Sequence, residues 1–420
     1  MKKNMIPALA LGVLLFSLPS FGKMLYVSNT VGNDEYDGLA AAYDGVHGPK
    51  FKIQSAIDAA EDGDTVIVAP GTYGDEQGAV SSSVAGQTVR IWIDKAITLK
   101  SSGDRTDTFI VGKRGANDDG TGAGAVTGIQ ISKSVATSAD NPVEIEGFTL
   151  RDCFSDAASS GSVGGVIGWR GGVKPVMSQG MGPWIVACTI SNCVYNVSGA
   201  ISHVNAVRTF VKNNKSSQVG VNAHYCNLVF CVLAGAQGQA GLIGSKDQYA
   251  INCTIVDSTH NPCSSSCKMN FFNTVFTASS SVSVWATLVS NCAMGTTPTC
   301  TDNSGVSNFF GESYRYNQIA APLFDDYRPL IKHDKLCSTA SLCDGGDPKW
   351  LDLVPEEYRN LDFEGKEFGA TEKGTIHIGA VQTPLTPVGR FSLDVTEMAD
   401  GSGKTCVCVN GMQGVLATGG

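Results

Sequence analysis

Charge is scarce in this chain. Only 16% of its 420 residues are Asp, Glu, Lys or Arg, with 39 acids against 30 Lys and Arg. Low charge, 49 glycines and abundant Ser, Thr, Asn and Val argue against a helical protein. They suit short strands joined by tight turns. Long apolar runs are missing beyond the N-terminus, so no transmembrane segment is expected in the mature chain. Cys-x-x-Cys and paired His-Cys spacings are missing too, which argues against zinc. There is no phosphate loop, dinucleotide fingerprint or serine-hydrolase elbow. The acid excess disfavours nucleic acid and anionic membranes as partners. It also disfavours unaided binding of polyuronates, which would need bridging calcium or a local basic patch.

What is present begins with an export signal. Lys2 and Lys3 precede an apolar stretch over residues 5–18, and small Ser20 and Gly22 suit cleavage before Lys23. Residues 1–22 are therefore read as a signal peptide and the location as secreted or cell surface. Its removal leaves 28 basic and 39 acidic residues, a net charge of −11.

Fourteen cysteines in an exported chain point to disulfides. Three pairs lie close together in loop-like segments: Cys263 with Cys267, Cys292 with Cys300, and Cys337 with Cys343. Each is expected to close a short loop. Cys188 and Cys253 open CTISNC and CTIVDS and are read instead as buried thiols stacked on successive coils. Bridging between coils about 4.8 Å apart is the competing reading.

A loose motif carries the architecture. It recurs as FTLRDC at Phe148, CTISNC at Cys188, TFVKNN at Thr209, NLVFCV at Asn227, CTIVDS at Cys253 and NTVFTA at Asn273. The later steps are near twenty residues, a solenoid period. A second strand slot is filled by GGVIGW, GAISHV and GLIGSK, and a third by PWIVA, QYAIN and KMNFFN. Three strands per turn with glycine-rich corners predict an all-β, single-stranded parallel β-helix. Within PWIVA, Trp184 is read as an inward core residue. A helix over residues 51–61 places Phe51, Ile57 and Ala60 on one side, with Gly63 in the C′ position. It is expected to plug the open end of the solenoid.

The order YVSNT, Gly/Asp turn, helix, TVIVAPGTY resembles the N-terminal cap of secreted bacterial right-handed parallel β-helix proteins, the pectin-lyase-like superfamily. The cap spans 26–73. The segment 321–382, with APLFDDYRPL, CDGGDPKW and IHIGAVQ, is similar to the end of such domains, although His377 stands where Asp is usual. The β-helix domain is thus placed at 24–382, and 383–420 as a linker with a short β-like or disordered tail. The CTIxN…GAI pattern is also similar to the repeats of chlamydial polymorphic outer-membrane proteins. The resemblance implies lyases that use calcium, held by Asp and Glu, and an Arg or Lys base, or hydrolases that use paired Asp.

The repeats offer little of either. Lys212 with Asp257 is the best lyase-like pair, and Asp247 is the other acid there; all three also read as solvated turn residues. His203 and His260 are read as loop histidines. Asp118 and Asp119 are read as calcium ligands with Asp34 or Asp37, or as a turn, which is favoured. Trp169, Arg170 and Tyr195 border a Gly/Ser-rich insertion over 155–182, the best candidate binding loop. No cofactor is required by these motifs; Ca2+ is the one ion they suggest. The expected function is binding of extracellular polysaccharide or a cell-surface partner without demonstrated catalysis. The alternative is a polysaccharide lyase or glycoside hydrolase. Oligomeric state is left open.

Overall fold

The computed structural model describes residues 22–81, 87–135, 137–155, 165–169, 174–195, 199–216, 221–237, 242–244, 248–258, 269–278, 283–284, 286–294, 299–300, 314–315, 318–319, 324–325, 328–329, 345–382, 393–397, 405–409 and 415–418. Each of the three repeated strand types builds its own sheet. Trp184–Val186, Asn205–Val207, Asn227–Val229, Tyr249–Ile251 and Met269–Phe272 lie side by side in an 11-stranded parallel sheet, the first sheet. Thr149–Arg151, Thr189–Ser191, Phe210–Lys212, Val232–Ala234 and Thr254–Ser258 lie in a 10-stranded second sheet. Thr127–Ile131, Ile167–Trp169, Gly199–Ser202 and Val221–His224 lie in a 7-stranded third sheet. The chain visits third, first and second sheet in turn. Trp184 pairs with Asn205 and Asn205 with Asn227, so one coil takes 21 or 22 residues. This is a parallel β-helix.

Period-two patterning explains why each strand has one dry side. Ile145, Ile185, Ala206, Leu228, Ala250 and Phe271 stack in register inside the first sheet. Leu150, Ile190, Val211, Leu233 and Ile255 do so inside the second. A coil alone cannot cover these side chains; the coils above and below do.

The bend from first to second sheet has its own chemistry. Ala187, Arg208, Phe230, Asn252, Asn273 and Asn291 occupy it with φ between 48 and 55°. That left-handed conformation costs most residues about 1–2 kcal/mol and is easiest for Asn and Gly. It turns the next residue inward: Cys188, Thr209, Cys231, Cys253, Thr274 and Cys292. Each thiol or hydroxyl donates to the carbonyl two residues back, at 3.3, 3.1, 3.4, 3.4, 2.9 and 3.4 Å in that order. On these six coils the position holds a small side chain with a donor, Cys or Thr, while Phe148 fills it on the coil before Cys188. Cys188 and Cys253 thus occupy the expected inward, stacked position. Cys292 occupies it as well, which corrects its assignment to a loop pair with Cys300. Among the described residues there is no disulfide. Cys263, Cys267, Cys337 and Cys343 lie outside the described residues, as does the side chain of Cys300.

The capping helix is shorter than expected, Ile53–Ala59, and buries Ile53, Ala56 and Ile57 over the first coil. It ends in extended backbone at Ala60, so Gly63, with φ 89°, belongs to the following turn. Among the described residues no helix is long and apolar enough to cross a membrane.

Residues 345–382 return along the outer face of the first sheet. Trp184 and Val186 point outward to meet them, while Ile185 between them points in. This corrects the inward reading of Trp184: the whole PWIVA strand is apolar because it is covered on both sides. Trp184 stacks on Tyr358 at 4.1 Å, and Phe272 on Trp350 at 3.7 Å. Tyr358 donates to Glu144 at 2.5 Å, and burial pushes that carboxyl above its ordinary range. The bend asparagines grip the returning backbone. Asn252 Nδ2 donates to His377 O at 2.9 Å and Asn273 Nδ2 to Asp347 O at 3.0 Å. His377 is held through its main chain, so the unusual side chain there costs this contact nothing. The tail strands Leu393–Glu397, Thr405–Val409 and Val415–Thr418 form a small antiparallel sheet, with Cys406 and Cys408 on the middle strand.

Candidate functional site: a histidine–tyrosine corner

The third sheet carries a polar column on its outer face. Gln130, Gly168, Ser202 and His224 stand in register on four successive coils. Ile129, Ile167, Ile201 and Ala223, one residue earlier on each strand, fill the core beneath them. Gly168 leaves the room that Gln130 uses: a Cβ there would lie 3.0 Å from the Gln130 side-chain oxygen.

At the bend into the first sheet, His203 and Tyr225 take left-handed φ values of 58 and 52°. Their neighbours Val204 and Cys226 turn into the core, and the two rings are left at the corner. His203 and Tyr225 lie 5.2 Å apart, His224 and Tyr225 4.3 Å, and the two imidazoles 5.5 Å, all as ring centroids. Ser202 Oγ is 2.8 Å from His203 Nδ1 and 3.5 Å from His224 Nδ1. Lys174 Nζ lies 5.3 Å from the Tyr225 ring centre. That lysine comes from the 155–182 insertion, whose backbone is held by a second asparagine ladder. Asn205 Nδ2 donates to Met181 O at 3.1 Å, and Asn227 Nδ2 donates to Pro175 O at 3.1 Å and to Asn205 Oδ1 at 2.8 Å.

Electrostatics keep the corner's imidazoles neutral. Burial pushes His203 and His224 down to about 4, helped by the Lys174 charge at His203 and by His203 at His224. At neutral pH each ring therefore offers one donor and one acceptor. Together with a half-buried phenol ring and an exposed ammonium, the corner can stack on an apolar face, bond hydroxyl groups and meet an acidic group.

The residues singled out from sequence fall elsewhere or only border this corner. Tyr195 is in the core and 2% exposed, because its strand turns it inward; this corrects its reading as a ligand contact. Trp169 is likewise a core residue, 6% exposed, in register with Ile131. Arg170 and Asp247 lie outside the described residues, as does His260. Lys212 reaches back over Phe210, 4.7 Å from its ring centre. Lys212 pairs with Ala234 and Ala234 with Val256, so Asp257 is two coils away, with its side chain outside the described residues. Asp119 accepts from Thr121 N at 2.9 Å and Thr121 Oγ1 at 2.6 Å, and those bonds hold its carboxyl below the usual range. Asp118 presents its carbonyl to Arg114. Asp34 accepts from the Phe51 and Lys52 amides, and Asp37 from His47. The carboxylates of Asp119, Asp34 and Asp37 are thus engaged locally. Among the described residues no three His, Cys, Asp or Glu side chains converge as a metal site.

The sequence alone marks His203 as a loop histidine and does not single out Ser202, His224 or Tyr225. The signal was in the repeat. GAISHVN and VNAHYCN align so that Ser202 matches His224 and His203 matches Tyr225, which puts polar and aromatic residues on one corner of consecutive coils.

No protein-family model matches the chain, and no curated protein matches it. Among solved structures, the chain is similar to pectate lyase Pel9A, at 10% identity and TM-score 0.42, over 86% of this chain and 97% of that one. A GH136 lacto-N-biosidase from Eubacterium ramulus gives 9% identity and TM-score 0.35, over 71% and 67%. XylC, solved in complex with xylose, gives 9% and 0.28, over 86% and 98%. Superpositions this loose carry no argument about activity; the fold rests on the sheet pairing above.

Proposed function

We propose that this is an exported β-helix protein that binds extracellular polysaccharide at the His203–His224–Tyr225 corner and does not turn it over. The observation that supports this reading is the corner itself. One aromatic ring, two uncharged imidazoles and one ammonium converge on adjacent coils of a rigid solenoid. Among the described residues the charge acting on His203 is that of Lys174 and the one acting on His224 is that of His203; neither is a carboxylate of the kind glycoside hydrolysis pairs. A glycan array probed with the full chain tests the reading, with Tyr225→Ala and Lys174→Ala as controls. Binding that both substitutions reduce at least tenfold supports it; binding that neither changes sinks it.

One observation favours a second reading. Both imidazoles are unprotonated at pH 7, so His203 or His224 would serve as base in a lyase, though one weakened by the burial that lowers its titration. Incubation with uronate and neutral polysaccharides decides between them. The binding reading expects no ultraviolet absorbance from unsaturated products and no new reducing ends. Turnover in either assay, abolished by His224→Ala, would establish the enzyme instead.

A further inference from the structure

Seven buried cysteines are described, and only certain ones are coil neighbours. Arg151 pairs with Ser191 and Phe154 with Val194, so Cys153 stands directly beneath Cys193. Val229 pairs with Ile251 and Val232 with Thr254, so Cys231 stands directly beneath Cys253. Within each pair the two side chains are close enough for one thiol to shift the other's titration, while the thiols donate to backbone carbonyls. The other thiols of these two bends are set apart. Cys188 is in register with Thr209, which separates it from Cys231 by a full extra coil. Cys226 belongs to the other bend, above Val204.

We propose that Cys153–Cys193 and Cys231–Cys253 are two sites of inter-coil disulfide formation, closed by exchange with a small-molecule or protein disulfide as the coils assemble. The neighbour spacing of parallel strands, about 4.8 Å, lies within the Cα range of a disulfide, and closure needs the Cβ atoms to draw in to about 3.8 Å. Cys188, two coils from Cys231, is out of range. In the exchange, one thiolate attacks the oxidant's disulfide, forms a mixed disulfide and releases one thiol. The neighbouring cysteine then attacks the mixed disulfide and expels the second thiol. Two protein thiols lose two protons and two electrons, and one oxidant disulfide becomes two thiols. Timing follows from burial. Cys153, Cys193, Cys231 and Cys253 are fully covered in the finished coil, and burial holds the Cys193 and Cys253 thiols protonated. Exchange must therefore precede stacking of the next coil. The bridges would link residues 40 and 22 positions apart, so each constrains the unfolded chain.

The test is a peptide map of the full chain, reduced and unfolded, then refolded in a glutathione redox buffer. The refolded protein is denatured, blocked with N-ethylmaleimide and digested without reductant. The expected map joins the Cys153 and Cys193 peptides, joins the Cys231 and Cys253 peptides, and shows Cys188 and Cys226 blocked. A map with all four cysteines blocked, or joined to other partners, overturns the proposal. A variant control isolates the effect on stability. Cys231→Thr with Cys253→Thr is chosen because Thr209 and Thr274 already occupy that place on other coils. Dithiothreitol should lower the denaturation midpoint of the parent more than that of this variant; equal shifts overturn the second bridge.

Discussion

Two outer surfaces of one solenoid have opposite fates. The outer face of the first sheet carries an apolar patch, Trp184, Val186, Val207, Val229, Ile251 and Phe272, and the chain covers it with its own residues 345–382. The corner between third and first sheet is polar, and Tyr225 and His224 stay partly open there. Both are served by the same device, a ladder of asparagines on successive coils that grips a passing backbone. Asn252 and Asn273 hold the returning C-terminal segment; Asn205 and Asn227 hold the insertion that delivers Lys174. The difference teaches that the ladder is a fastener, and that what is fastened decides between sealing and recognition.

The largest effect should come from unsealing the covered face. Trp184→Ala removes an indole packed on Tyr358 and should cost about 3–5 kcal/mol of unfolding free energy by urea titration. Glycan binding by the fraction still folded should be unchanged. Loss below about 1 kcal/mol would mean that the returning segment adds little.

Undoing the fastener comes next. Asn273→Ala strands the Asp347 carbonyl and amide and places Ala at a φ of 48°. It should cost about 2–3 kcal/mol. Asn273→Gly should recover the backbone part of that loss, and if it behaves like Asn273→Ala, the left-handed bend is not a source of strain.

The open corner predicts a pH dependence. His203 and His224 titrate near 6.5 when unfolded and at about 4 when folded. Between those values the unfolded chain binds more protons, so stability falls as pH drops from 6.5 to 4 and levels off below. Above pH 6.5 the contribution is fully present. The two rings together should account for about 1–3 kcal/mol, discounted because His224 remains partly exposed. A His203→Asn, His224→Gln variant should lose that part of the slope in denaturation curves taken at pH 7, 5.5 and 4.

The smallest stability effect belongs to the residue expected to matter most for recognition. Tyr225→Asn keeps a side chain suited to the left-handed bend and should change stability by less than about 1 kcal/mol. It should nevertheless remove detectable glycan binding. Intact binding would separate the corner from function.

Much of the fold was legible because a coil is local. Alternating apolar positions and a step near twenty residues are properties of neighbouring residues, and they located all three strand types. The misplaced residues share one cause. Trp184, Trp169, Tyr195 and Cys292 each depend on which side of a three-residue strand or bend faces inward, and a run such as WIV, apolar at every position, does not say. The corner was illegible for a related reason: its residues are 22 apart and polar, and only stacking joins them.

By itself the sequence determined short strands with period-two apolar residues repeating at a step near twenty, because such a unit buries its apolar side only by stacking on its copies. It also determined which bends carry a small donor side chain. The tertiary structure alone decided which outer face the chain seals with its own end, and which two coils bring His203, His224 and Tyr225 together. Those outcomes depend on long-range docking and on the rotation of each coil, for which no local stretch of sequence carries the energy.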